Sequence, residues 1–221
     1  MDNLINIPEY LYINLDLNKL TKFQKVRLIS KGKIISLLFK LKSEKLFCSI
    51  MNIIYKQDGR IYFRDNFYIK KTNDREVFFP SKRISSIFID YKLHIEKFYK
   101  TYCLEKIKFT ENDIVVDCGA NIGELYLALK EKNHNVKYIG FEPDRASFDS
   151  LKQNVDDENI KLYNLALSNK NDKQKLYIDT KGANTSLSPF NTKEIEETET
   201  VTFDSLGFDK IKLLKIDAEG H

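Results

Sequence analysis

Ile114-Val115-Val116-Asp117-Cys118-Gly119-Ala120-Asn121-Ile122-Gly123-Glu124 decides how this chain folds. Three apolar β-formers run into an acid, the acid into a glycine-punctuated turn, and the turn into a helical pattern beginning near Glu124. That order predicts a buried parallel strand handing over to a helix through a tight loop. Gly119 and Gly123 carry no Cβ, so a ligand or a neighbouring backbone can come close there. The backbone N–H groups opening the next helix would point at whatever sits above the strand. A nicotinamide or flavin loop wants Gly-x-Gly-x-x-Gly, but Asn121 stands where the second glycine belongs. Asp117, two residues ahead of Gly119, suits a ligand with a cationic end better than a pyrophosphate. An ordinary strand–turn–helix would carry the same residues, so the loop alone names no ligand.

Outward from this stretch, Leu125–Lys130 continues the first crossover helix and Val136–Phe141 is a second buried strand, ending in Glu142-Pro143-Asp144. An acid at that strand end can accept hydrogen bonds from both hydroxyls of a ribose, and Pro143, lacking an N–H, stops the strand. Ala146–Val155 reads as the second helix and Ile160–Leu165 as the third strand. Ile211–Ile216 reads as the fourth, apolar apart from Lys212 and Lys215. It delivers Asp217, Glu219 and His221 to the carboxyl end of the sheet, where open α/β folds bind ligands. Asp217 and Glu219 can serve as a general base, hold a divalent ion through oxygen, or form an acidic turn without chemistry.

Four motifs, Asp117–Glu124, Gly140–Asp144, Ala166-Leu167-Ser168 and Lys215–His221, resemble in order and spacing the FkbM-type methyltransferases. The resemblance covers roughly Asp113 to His221, with weaker likeness back to about Gly59. It implies a Rossmann-like class I methyltransferase α/β sheet, S-adenosyl-L-methionine (SAM) as cofactor, and often a sugar hydroxyl as acceptor, in surface polysaccharide or glycolipid biosynthesis. By the same likeness Asp117, Gly119, Ala120, Asn121 and Gly123 hold the methionine end, and Glu142 with Pro143 the ribose. The end of the third strand, Asn164 to Ala166, faces the adenine, although Asn164 can equally cap a turn. Asp217 or Glu219 is the expected catalytic acid, directly or through a divalent metal. Ser186 resembles a recurring serine of the family. The family's sheet continues past the fourth strand, so a fragment or a truncated chain is the expectation. Two other readings stand beside this one: an NAD-type dinucleotide-binding oxidoreductase, and an inactive remnant that binds a nucleoside cofactor at most. A DNA methyltransferase fits less well, since the fourth strand ends in Asp-Ala-Glu-Gly, and no nucleic-acid partner is expected.

The 221 residues are 42% hydrophobic with a net charge of +4, a globular composition rather than a disordered one. Cys48, Cys103 and Cys118 show no close metal-binding spacing, and their odd number argues against a disulfide framework. No secretory signal stands at the N-terminus. The longest uncharged apolar run, Leu46–Tyr55, falls short of the ~20 residues a membrane span needs. A cytoplasmic protein, soluble or peripheral at the inner membrane surface, is therefore expected.

Residues 1–56 read as a basic, helical N-terminal region and 57–221 as the methyltransferase domain with a β-meander lead-in, the soft boundary lying near Gln57. Between Lys19 and Lys45 basic residues interleave with Leu20, Phe23, Val26, Leu28, Ile29, Leu37, Leu38 and Leu41. That predicts one or two amphipathic helices split near Gly32. Such a region can dock on an anionic membrane surface or a glycolipid-synthesis partner, or be an appendage with a solvated basic face. Turn signals at Asp58-Gly59, Arg64-Asp65-Asn66 and Thr72-Asn73-Asp74 separate period-two runs, hence the meander. Ile84–Tyr102 has helical spacing with His94 beside its apolar stripe, as a general base or as a residue at the core's rim. His134 reads as plain surface, Lys175–Asp179 as an extra strand, and Glu194, Glu196, Glu197 and Glu199 as a solvated face.

Overall fold

The structure, a computed structural model, describes residues 15–16, 18–54, 59–84, 91–157, 160–179, 185–208 and 210–217. Packing divides the chain into two units, Met1–Glu76 with Ile84–Tyr91 and Val77–Arg83 with Lys92–His221. The boundary expected near Gln57 lies outside the described residues.

In the first unit, helix α1 (Lys22–Leu38) starts at a capping box. Thr21 Oγ1 accepts from the Gln24 N–H at 3.2 Å, and Gln24 Oε1 from the Thr21 N–H at 2.8 Å. The helix runs straight through Gly32, which is buried. One mid-helix glycine costs only ~1 kcal/mol, so the expected split does not occur there. The break comes after Leu38, and Ser43 opens α2 (Glu44–Ile54), its Oγ accepting from the Leu46 N–H. Nor is α1 amphipathic in the expected sense: Leu28 and Leu38 are buried while Phe23, Val26, Ile34 and Leu37 are exposed. Helix α2 buries Phe47, Cys48 and Met51. Its Asn52 side chain acts as a strand partner for β1 (Arg60–Arg64), bonding both the N–H and the C=O of Ile61. β1 pairs antiparallel with β2 (Phe67–Lys71). The two-residue turn between them, Asp65-Asn66, has φ of 51° and 66°, the backbone a tight hairpin requires. β3 (Glu76–Phe79), of which only Glu76 belongs to this unit, is third in the sheet order, so the meander forms.

In the second unit α3 (Tyr91–Thr101) covers the described part of the helix expected from Ile84, and residues 85–90 lie outside the description. Then follow β4 (Ile114–Cys118), α4 (Glu124–Glu131), β5 (Lys137–Phe141), α5 (Arg145–Asn154) and β6 (Ile160–Tyr163). Four further strands close the described chain: β7 (Ala166–Ser168) with β8 (Asp172–Tyr177) and β9 (Ile195–Thr202), and finally β10 (Leu213–Ile216). The main sheet is parallel throughout, ordered β10-β4-β5-β6. Its pleat sends alternate residues to opposite faces. Val116, Ile139 and Phe141 face a cluster with Leu165, Leu167, Phe203 and Ile211. On the other face Ala120, Phe148 and Leu151 form a core with Val155 and Leu162. Gly140 leaves room for that packing, since a Cβ there would stand 3.1 Å from Leu162 and Tyr138.

One expectation changes in this unit. The extra strand starts earlier than Lys175 and pairs with the acidic run, giving a second sheet ordered β7-β9-β8. In β9 Thr198 and Thr200 are buried while Glu197 and Glu199 stay exposed on the opposite, solvated face of the strand, and Glu194 precedes it. In β10 Lys215 is 7% exposed, whereas Leu214 is 39% and Ile216 66% exposed. The register explains it. Lys215 lies directly across from Asp117 of β4, on the same face, and its charge pairs inward.

Candidate functional site

Asp117 ends β4 with 1% of its surface exposed. Its two oxygens are both taken: Oδ2 accepts from the Tyr138 hydroxyl at 2.6 Å and Oδ1 from Lys215 Nζ at 2.9 Å. Lys215 Nζ also donates to the Gly119 carbonyl at 3.0 Å and stands 3.6 Å from Asp217. Burial raises the Asp117 carboxyl, against the lowering pull of Lys215 and Tyr138. For Lys215, burial lowers the ammonium but Asp117 more than restores it, so its pKa lies above the ordinary lysine value. Asp217 in turn accepts from the Tyr102 hydroxyl at 2.7 Å.

Glu142 ends β5, also buried. The Asn121 N–H donates to its Oε2 at 2.7 Å and the Asp144 N–H to its Oε1 at 2.9 Å. Burial pushes the carboxyl up to about 7, even though those two N–H groups pull it down. Asn164 donates to the carbonyls of Glu142 and Pro143 at 2.9 and 3.0 Å. It ties the turn after β5 rather than offering that amide nitrogen to a ligand. Asp144 caps α5 by accepting from the Ser147 N–H.

The glycine loop itself turns its N–H groups to the protein. Gly119 and Ala120 donate to the Phe141 carbonyl, Asn121 to Glu142 and Gly123 to the Ala120 carbonyl. Gly123 makes room for protein: a Cβ there would sit 2.8 Å from Leu151 Cδ1. Asn121, at φ 50°, turns its amide to Glu124. Burial alone would raise Glu124, but hydrogen bonds from His94 and Asn121 outweigh it and hold the carboxyl below its ordinary value. His94 therefore serves this glutamate, at 2.9 Å.

These groups surround a cleft of about 470 Å³. It is lined by Asp117, Gly119, Ala120, Asn121, Glu142, Pro143, Ala166 and Asp217 among the residues the sequence singled out; Gly123 and Asn164 stand behind it. Glu219 and His221 lie outside the described residues. The far wall, with Leu176, Ile178, Asp179, Ser186 and Glu194, comes from β8 and the segments flanking β9. In all, the carboxyls of Asp117, Glu124, Glu142, Asp144, Asp179, Glu194 and Asp217 line it against the ammonium of Lys215, among the described residues. Sequence reading passed over Lys215, Tyr138, Tyr102 and Glu124. A lysine between Leu214 and Ile216 in an otherwise apolar strand was the available signal, since a buried lysine needs a partner. His134, expected on plain surface, is half-buried, bonding the Tyr99 hydroxyl at 2.8 Å and packing on Phe109. Among the described residues no group of three His, Cys, Asp or Glu side chains could hold a metal ion. Of the two acids expected as ligands of a divalent ion, Asp217 has the Lys215 ammonium 3.6 Å away, and Glu219 lies outside the described residues.

Residues 117–221 match the methyltransferase FkbM domain. "Methyltransferase 1" of Beauveria bassiana (strain ARSEF 2860) is 29% identical over 93 residues, 42% of this chain and 35% of that protein. "Methyltransferase sdnD" of Sordaria araneosa is 32% identical over 82 residues, 37% of this chain and 30% of that protein. The chain thus spans about a third of the length of these relatives. The crystal structure of P. horikoshii TYW2 in complex with MeSAdo aligns with 17% identity over 56% of this chain and 48% of that one, at a TM-score of 0.35.

Proposed function

From the FkbM methyltransferase domain that residues 117–221 match, we propose that this chain carries the cofactor site of a SAM-dependent O-methyltransferase. The acceptor in this reading is a sugar hydroxyl in surface polysaccharide or glycolipid biosynthesis. The sheet order β10-β4-β5-β6 supports a class I methyltransferase arrangement. Glu142 carries the reading. It is a buried, cleft-lining carboxylate at the end of the strand beside β4, pinned by two backbone N–H groups. A carboxylate has about four acceptor sites, so two remain for the hydroxyl pair of a ribose.

When bound, SAM supplies a methyl group on a positively charged sulfur. The chain's own residues do the rest. Asp117, nearly fully buried and bonded by Tyr138 and Lys215, would act through Lys215, whose ammonium lines the cleft and would meet the carboxylate of the methionine end. Tyr102 and Lys215 hold Asp217 in place, and Asp217 orients the acceptor hydroxyl and receives its proton as the bond forms. The dinucleotide reading is weaker on one specific ground: a pyrophosphate would meet a glycine loop whose N–H groups at Gly119, Ala120, Asn121 and Gly123 are spent within the protein.

Calorimetric titration with SAM and with NAD tests this. SAM should bind and NAD should not. Glu142→Ala should weaken SAM by about 2–4 kcal/mol, the loss of two hydrogen bonds to a charged acceptor. Asp217→Asn should keep SAM affinity while turnover on a sugar acceptor falls. Equal affinities in wild type and Glu142→Ala would remove Glu142 from the site. We further propose that the basic N-terminal region makes a peripheral contact with an anionic membrane surface. Among the described residues no helix is long and apolar enough to cross one.

A further inference from the structure

The charge of the cleft opposes the charge of the chain. The whole chain carries a net +4, yet seven carboxyl groups line this one cavity against a single ammonium among the described residues. That ammonium is already engaged by Asp117 and the Gly119 carbonyl. In the glycine loop the N–H groups of Gly119, Ala120, Asn121 and Gly123 bond Phe141, Glu142 and Ala120. A partly enclosed cavity lined by one sign of charge focuses its field on whatever enters.

We propose that the cleft sorts its cofactor by charge, holding the sulfonium donor more tightly than S-adenosylhomocysteine and so expelling the spent product. This rests on the methyltransferase reading above. In methyl transfer the sulfur–carbon bond breaks with its electron pair left on sulfur, a carbon–oxygen bond forms, and the hydroxyl proton leaves through Asp217 to solvent. The ligand in the cleft therefore loses one positive charge at the moment of reaction, among carboxylates that had favoured it. The two ligands otherwise differ by one methyl group, so the comparison isolates charge.

Titration of the protein with SAM, S-adenosylhomocysteine and adenosine at low and high salt tests the proposal. At low ionic strength SAM should bind about tenfold more tightly than S-adenosylhomocysteine, the scale of one charge at several ångströms in a protein-like dielectric. The ratio should shrink at high salt, where screening lengths fall to a few ångströms. The far-wall double variant Asp179→Asn/Glu194→Gln should shrink it too and leave adenosine affinity unchanged, which a merely structural role for those acids would not do. S-adenosylhomocysteine binding as tightly as SAM at low salt overturns the proposal, as does a ratio indifferent to both salt and the variant. Failure of all three ligands to bind is a different result: it overturns the cofactor reading itself, and the charge proposal with it.

Discussion

At Glu142 burial outweighs two backbone N–H donors and pushes the carboxyl from 4.5 up to about 7. The folded chain therefore keeps a proton that the unfolded chain releases. Stability from this group is full below the unfolded value near 4.5 and is lost as pH rises through about 7, roughly 3 kcal/mol in all. Glu142→Gln does not titrate, and any misfit of its amide against the Asn121 and Asp144 N–H groups is independent of pH. Denaturant unfolding at acid and mildly alkaline pH should show the wild type losing more stability than the variant; parallel pH curves would rule this out. A ribose favours the ionised form, so SAM affinity should weaken as pH falls below about 7. Lys215 is a different kind of residue, bound to a partner rather than strained. Lys215→Met leaves Asp117 buried without its cation and should cost about 3–5 kcal/mol. Adding Asp117→Asn should recover much of that loss, a coupling that a double-mutant cycle measures directly.

The glycine loop between β4 and α4 is held from behind by α5. Gly123 has φ 91° and faces Leu151. Asn154 bonds the Ile122 carbonyl at 2.8 Å and both backbone groups of Phe78. An alanine at 123 would combine backbone strain with a clash against a core leucine. We expect Gly123→Ala to lower stability by about 1–3 kcal/mol, seen as a lower denaturant midpoint; an unchanged midpoint would mean that the loop and α5 shift freely apart. The same geometry explains why the loop serves as a frame. Its amides close turns and hold Glu142, and the charged strand ends do the facing.

Across the whole molecule, charge is segregated along the chain. Acids gather around one cleft of the second unit, and bases gather in the segment that contains α1. At 100° per residue, Phe23, Val26, Ile34 and Leu37 fall within about 80° of one another on α1, all exposed, with Phe23 at 77%. Lys22, Lys33 and Arg27 flank that arc. An apolar stripe rimmed by bases suits the interface of an anionic bilayer. Co-sedimentation should show binding to vesicles containing phosphatidylserine and little to phosphatidylcholine alone. Phe23→Ser/Leu37→Ser should abolish it without altering the unfolding curve, since both side chains are exposed. Equal binding by wild type and this variant would leave α1 an appendage with a solvated face.

The sequence by itself determined the strand–loop–helix at Ile114–Glu124, the second strand with its terminal Glu142 and the Asp65-Asn66 hairpin. Each rests on local rules: pleat period, glycine and asparagine tolerance of positive φ, and strand-ending proline. Where the breaks fall in the basic region was less legible, because a buried glycine inside a helix looks the same in sequence as one that ends it. The chemistry of the site was decided only in three dimensions. Lys215 and Asp117 stand 98 residues apart and meet because β10 pairs with β4 in one register. A shift of that register by one residue would turn Lys215 to the opposite face and Ile216 inward. The acids of the far wall join the cleft through a sheet, β7-β9-β8, that no periodicity announces. Which charges share a cavity depends on strand pairing between distant segments, and pairing partners are not written into the pattern of either strand alone.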